Sequence, residues 1–252
     1  MIRLALSQLN TVVGDLAGNS VLVRDQARLA QERGADLVVF PEMTLTGYPV
    51  EDLALRPSFQ DASVNSLHQL ARDLDSDGLG DLICIVGYLD HLDATDLGIA
   101  GRPRRAPVNA AAALHRGQVV GRYIKHHLPN YGVFDESRYF VPGEAPLVLR
   151  YAGMTICLAI CEDLWQQGGP VAWARADNAG LLLVLNASPY ERDKDDVRFE
   201  LCRDRARESG AVIAYANLVG GQDELVFDGD SMVVRADGTL VARAGQFVNE
   251  LL

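Results

Sequence analysis

Apolar residues in this chain come in short unbroken runs more often than in strict alternation. Leu37–Phe40, Leu82–Leu89, Met154–Ile160 and Leu181–Leu185 are each too apolar for a half-exposed strand and read as strands covered on both faces. Between them lie stretches of helical period. Asn19 is the expected N-cap of a helix to Arg33, with Leu22, Leu29 and Ala30 inward and Gly34 as its stop. A second helix is expected over Ser58–Leu74, with Ser63, Leu67, Leu70, Ala71 and Leu74 on one face. Two more are predicted, at Pro170–Asn178 and at Asp193–Ser209, the latter burying Phe199, Cys202 and Ala206.

The remaining strands are placed by turn residues. Ile2–Gln8 opens the chain, and Asn109–Leu114 pairs with Val119–Ile124 across His115-Arg-Gly-Gln118. Leu147–Tyr151 folds back on Met154–Ile160 at Ala152-Gly153. Ala211–Ala216, Leu225–Phe227 and Ser231–Arg235 supply the last strands, with Asp237-Gly238 as a turn. Asp90–Pro107 has little periodicity and reads as a long surface loop. Lys125–Phe140, rich in charged and aromatic groups, leaves the sheet without a regular pattern, as functional loops do. The order is strand-helix-strand-helix, then hairpins, then strand-helix-strand. It predicts an α/β fold of two packed sheets with helices outside, in one domain over residues 1–252 with no linker.

Charge narrows the partners. A net charge of −11 offers nucleic acid and anionic membranes no basic surface, so neither is expected as a partner. No apolar run is long enough to span a bilayer and no signal-peptide layout opens the chain, so the expected compartment is the cytoplasm. Of the four cysteines, Cys84, Cys157 and Cys202 sit among apolar residues and read as small core hydrophobes. Cys161 ends a buried strand and is followed at once by Glu162 and Asp163.

That arrangement suits a nucleophile. A thiol is mostly protonated near neutrality and needs a base or a nearby cation to attack a carbonyl. Two other strand ends carry such groups: Glu42, able to take the thiol proton, and Lys125, able to stabilise an oxyanion together with the Glu162 backbone N–H. His126 and His127 are adjacent on an extended segment and point to opposite sides, and no further ligands join Cys157 and Cys161 at zinc spacing. No metal site is expected.

The order Glu42, Lys125, Cys161, each in a characteristic setting, resembles the nitrilase (carbon–nitrogen hydrolase) superfamily. The likeness covers nearly the whole chain. Residues 8–19, Pro41–Pro49, Lys125–Tyr131, Phe134–Phe140, Ile160–Trp165 and Asn217–Gly229 together resemble one branch of it, the amide-hydrolysing N-terminal domains of glutamine-dependent NAD+ synthetases. The resemblance implies a four-layer αββα sandwich and a glutaminase that releases ammonia from L-glutamine through a cysteine thioester. It implies Glu42 as general base, Lys125 as oxyanion donor, Cys161 as nucleophile and Glu136 as a supporting glutamate. It also implies substrate contacts from Tyr131, Ser188, Lys194 and Glu162. The ammonia would serve an ATP- and Mg2+-using synthetase domain that amidates nicotinic acid adenine dinucleotide. No pyrophosphatase or phosphate-loop motif is found here, so the expectation is a truncated or separately expressed glutaminase domain that itself needs no cofactor. A homo-oligomer is expected from the same likeness. The alternatives are a free-standing amidase for another small amide and a non-catalytic scaffold of the same fold.

Overall fold

The computed structural model describes residues 2–93 and 105–252. The first sheet contains β1 (Leu4–Gln8), β2 (Leu37–Val39), β3 (Ile83–Asp93), β4 (Arg105–His115), β5 (Gln118–Ile124) and β14 (Glu250–Leu251), in the order β14-β1-β2-β3-β4-β5. The second contains β6 (Val148–Tyr151), β7 (Met154–Ile160), β8 (Leu181–Asn186), β9 (Val212–Asn217), β12 (Met232–Val234) and β13 (Leu240–Arg243), in the order β13-β12-β9-β8-β7-β6. Each has a parallel centre, β1-β2-β3 in one and β7-β8-β9 in the other, extended outward by antiparallel strands. A separate hairpin joins β10 (Val219–Gln222) to β11 (Leu225–Asp228).

The unbroken apolar runs are explained by where successive side chains go. In the first sheet Leu37, Val39, Ile83 and Ile85 point to the other sheet, while Val38, Cys84 and Val86 point away from it. In the second, Ile156, Leu158, Ile160, Leu181, Leu183 and Leu185 meet the first sheet, and Cys157, Ala159, Leu182 and Val184 face outward. Helices α1 (Leu16–Glu32) and α2 (Pro57–Leu74) cover the outer face of the first sheet through Val23, Ala27, Ala30, Leu67, Leu70 and Ala71. Helices α5 (Gly169–Ala176) and α6 (Lys194–Ser209) cover the second through Val171, Ala174, Cys202 and Ala206. Two short helices, α3 (Glu136–Tyr139) and α4 (Glu162–Trp165), lie near the strand ends. The layers therefore run helix, sheet, sheet, helix.

Several local expectations change. The first helix is capped by Asp15, which accepts a hydrogen bond from the Gly18 N–H at 2.8 Å, and not by Asn19. Asn19 is buried inside the helix, bridging the backbone of Val12 and Leu45, so its polarity serves a loop contact. The buried stripe runs through Asn19, Val23, Ala27 and Ala30, so Val23 faces inward and Leu22 lies at the surface. Asp90–Pro107 is not one loop: β3 continues to Asp93 and β4 begins at Arg105, and residues 94–104 lie outside the described residues. Phe199 is only partly buried, whereas Arg198 beside it is fully buried. The segment Lys125–Phe140 contains α3, and three strands were not expected: the glycine-rich β10 and the short β13 and β14.

Candidate active site

Lys125 and Cys161 directly follow the last residues of β5 and β7, and Glu42 lies just past the end of β2, after Phe40 and Pro41. In α/β sheets this end is where loops from neighbouring strands converge. All three are buried, with relative exposures of 1%, 1% and 6%, and Glu136 at the start of α3 joins them at 4%. The Lys125 ammonium donates to Glu42 Oε1 at 2.8 Å and lies 2.8 and 3.0 Å from the two oxygens of Glu136. Glu42 is held from three directions. Its Oε1 also accepts from Asn109 Nδ2 at 2.6 Å, and its Oε2 accepts from the Ala187 N–H at 2.9 Å. The Tyr48 hydroxyl donates to Glu136 Oε1 at 3.0 Å.

Cys161 sits on a sharp strand-to-helix turn. Its backbone is at φ 44°, ψ −95°, a conformation costly for a residue with a side chain and retained where the surroundings enforce it. The Cys161 N–H donates to Leu185 O at 2.9 Å, and Leu164 N–H donates back to Cys161 O at 2.9 Å, pinning the turn on both sides. Glu162, the first residue of α4, has a backbone N–H with no partner inside that helix.

Two carboxylates, one ammonium and a thiol share this buried space, and each shifts the others. Burial pushes the Cys161 thiol well above the usual cysteine value and the Glu42 charge adds to this, while Lys125 pulls it down. The balance favours the protonated thiol over the thiolate. Burial works against the Lys125 charge, but Glu136 and Glu42 outweigh it and hold the ammonium well above the usual lysine range. Burial lifts Glu136 to about 7, against the pull of Lys125. The Tyr48 phenol is raised by burial and by the Glu136 charge, so it remains a donor.

The remaining sequence candidates fall in three places. Glu162 is buried beside the thiol, its carboxylate accepting from the Tyr131 hydroxyl at 2.7 Å and from Gln166 Nε2 at 2.6 Å. Tyr131 presents an exposed ring and is tied to the site only through that hydroxyl. Ser188 is buried next to Ala187, with its N–H on Asn217 Oδ1 at 2.9 Å. Lys194 is not brought to the cluster: its ammonium donates to Glu191 Oε1 at 2.6 Å at the start of α6. Tyr48, Asn109 and Asp163 were not singled out from sequence. A lone asparagine in the apolar, alanine-rich β4 was the available signal for Asn109, since a buried amide needs a partner. A cavity of about 950 Å³ is lined by Tyr131, His127 and Glu162, and Cys161 is not among its lining residues.

The carbon-nitrogen hydrolase family profile matches residues 3–252. The chain belongs to that family. It is 40% identical, over its whole length, to a glutamine-dependent NAD(+) synthetase of Aquifex aeolicus, of which it spans 42%. Among solved structures, a glutamine-dependent NAD+ synthetase from Acinetobacter baumannii in complex with ADP superposes with a TM-score of 0.88 at 35% identity, covering all of this chain and 44% of that one. The amidase of Nesterenkonia AN1, from the nitrilase superfamily, superposes at 0.79 with 30% identity, covering 99% of this chain and 88% of that one. The chain thus spans less than half the length of the synthetases it matches. The four-layer sandwich expected from sequence is the fold of this family, and the carbon–nitrogen hydrolase resemblance of the motifs agrees with the profile match.

Proposed function

We propose that this chain hydrolyses the side-chain amide of L-glutamine to glutamate and ammonia, as the amidohydrolase part of a glutamine-dependent NAD+ synthetase. The observation that carries the chemistry is the Lys125 ammonium held between Glu42 and Glu136 beside a buried thiol on a strained turn. In this reading Glu42 takes the thiol proton as sulfur attacks the amide carbon, which overcomes the raised thiol pKa only when substrate is present. The oxyanion formed is met by Lys125 and the Glu162 N–H, groups already fixed before reaction. Ammonia leaves with the proton returned by Glu42, and water activated by the same carboxylate hydrolyses the γ-glutamyl thioester. Glu136 and Asn109 keep the base and the ammonium in place.

Substrate choice rests on the likeness to the Aquifex and Acinetobacter synthetases, which exceeds that to the amidase in identity and, for the Acinetobacter enzyme, in superposition. Ammonia would pass to a synthetase partner domain, where ATP and Mg2+ would act on nicotinic acid adenine dinucleotide. A free-standing amidase is the second reading, favoured by the fact that the chain covers 88% of the Nesterenkonia enzyme. Ammonia release from glutamine, asparagine and an N-carbamoyl amino acid separates the two. Strong preference for glutamine, lost in Cys161→Ala, is expected; equal turnover of all three amides would contradict the glutaminase reading.

A further inference from the structure

The proposed oxyanion site has one donor on each sheet, and a single buried carboxylate touches both supports. Asp163, completely buried, accepts from the Ile160 N–H at 2.8 Å with Oδ2, which lies directly before the nucleophile turn. The same oxygen accepts from the Tyr123 hydroxyl at 2.6 Å, two residues before Lys125. Its other oxygen, Oδ1, accepts from the His126 N–H at 3.1 Å and the His127 N–H at 2.8 Å, immediately after Lys125. Tyr123 belongs to β5 in the first sheet, whereas Ile160 ends β7 in the second.

We propose that Asp163 is a positioning residue that sets the distance between Lys125 and the Cys161 turn, and so assembles the two halves of the oxyanion site. A carboxylate is suited to the task because it accepts on both oxygens and donates on neither. Four donors from two sheets converge on it, and charge-assisted bonds of this kind are stiffer than neutral ones. Asparagine has the same shape but only one oxygen. In Asp163→Asn the NH2 must face either the Ile160 side or the His126–His127 side, so one connection is kept and the other is lost. The substitution therefore separates connection from volume.

This inference rests on the Cys161 acyl-transfer reading, so its test uses two reactions of the same sulfur. Acetyl transfer from p-nitrophenyl acetate forms the thioester, releases p-nitrophenolate and passes through an oxyanion. Alkylation by iodoacetamide displaces iodide from carbon and forms no oxyanion. With misplacement of an oxyanion donor costing about 10²-fold, Asp163→Asn is expected to slow the acetylation burst by about that factor. Its alkylation rate should fall by much less, within about fivefold of wild type, since alkylation forms no oxyanion and feels a displaced Lys125 only through its charge on the thiol. Tyr123→Phe, which removes one bond and leaves the backbone contacts, should slow acetylation less and also spare alkylation. It keeps the test decisive where the asparagine variant does not fold. Acetylation within threefold of wild type in both folded variants, or acetylation and alkylation falling together, would overturn the proposal. A wild-type chain that is acetylated at Cys161 but releases no ammonia from glutamine would refute the substrate reading and leave the Asp163 comparison intact.

Discussion

At the scale of single residues, the site is a balance among buried charged groups, each of which shifts the others. Lys125 neutralises one of its two carboxylates, and the second proton equilibrium falls on Glu136, raised by burial to about 7. The folded protein then holds a proton on Glu136 that the unfolded chain releases above the ordinary carboxylate range. That contribution to stability is fully present below about pH 4.5 and is lost as pH rises toward 7, at up to about 1.4 kcal/mol per pH unit. Glu136→Gln should flatten this fall, as read from urea unfolding at pH 5 and pH 7; an unchanged slope would show that Glu136 does not carry it. Lys125→Met removes the ammonium and leaves Glu42 and Glu136 buried without it. It should cost about 3–5 kcal/mol, the usual loss when one partner of a buried pair is removed. It should also abolish measurable turnover, and glutamine-dependent ammonia release above a tenth of wild type would contradict its role.

At the scale of elements, strands position the chemistry by how closely their backbones approach. Gly87 in β3 lies so close to the loop bearing Glu42 that an added Cβ would meet Met43 N at 2.4 Å and Pro41 O at 2.5 Å. Gly87→Ala must therefore push the Glu42 loop outward, and kcat should fall by about 10²-fold while circular dichroism still shows a folded chain. Wild-type kcat in that variant would mean the loop tolerates the shift. Buried polar pairs fix other loops: Arg198 in α6 donates to Asp228 Oδ2 at 2.7 Å and to the carbonyls of Ser188 and Pro189 at 3.1 and 2.9 Å. Arg198→Met should cost about 3–5 kcal/mol, read by urea unfolding, and should raise KM through the Ser188 loop; an unchanged KM would remove Ser188 from substrate binding. These features also mark the limit of sequence reading. Strands such as Leu181–Leu185 were legible because burial on both faces leaves an unbroken apolar run. Arg198 was not, since a charged residue on a charged helix looks solvated until its partner, thirty residues away, is known. Asn19 misled for a related reason: a residue favoured at helix starts was serving a loop contact inside the helix. Glu42, Lys125 and Cys161 were legible because each stands where an apolar strand gives way to polar sequence, whereas Tyr48 and Asn109 act only through contacts made in space.

At the scale of the whole molecule, the two sheets form a single sandwich whose shared core runs beneath the reactive groups, from Leu6 and Ile85 to Ile160 and Cys161. Glu42 and Lys125 follow strands of one sheet and Cys161 a strand of the other, so the proposed chemistry depends on how the sheets sit against each other. Family membership and fold follow from the match over residues 3–252, while the choice of glutamine is a proposal built on relatives more than twice as long. The central claim is that Cys161 carries the acyl group of glutamine during turnover. Its most direct test is mass spectrometry of the chain quenched in acid while turning over glutamine. A γ-glutamyl adduct on the peptide containing Cys161, absent from Cys161→Ala, is the predicted result; an adduct on another residue, or undiminished ammonia release from Cys161→Ala, would contradict it.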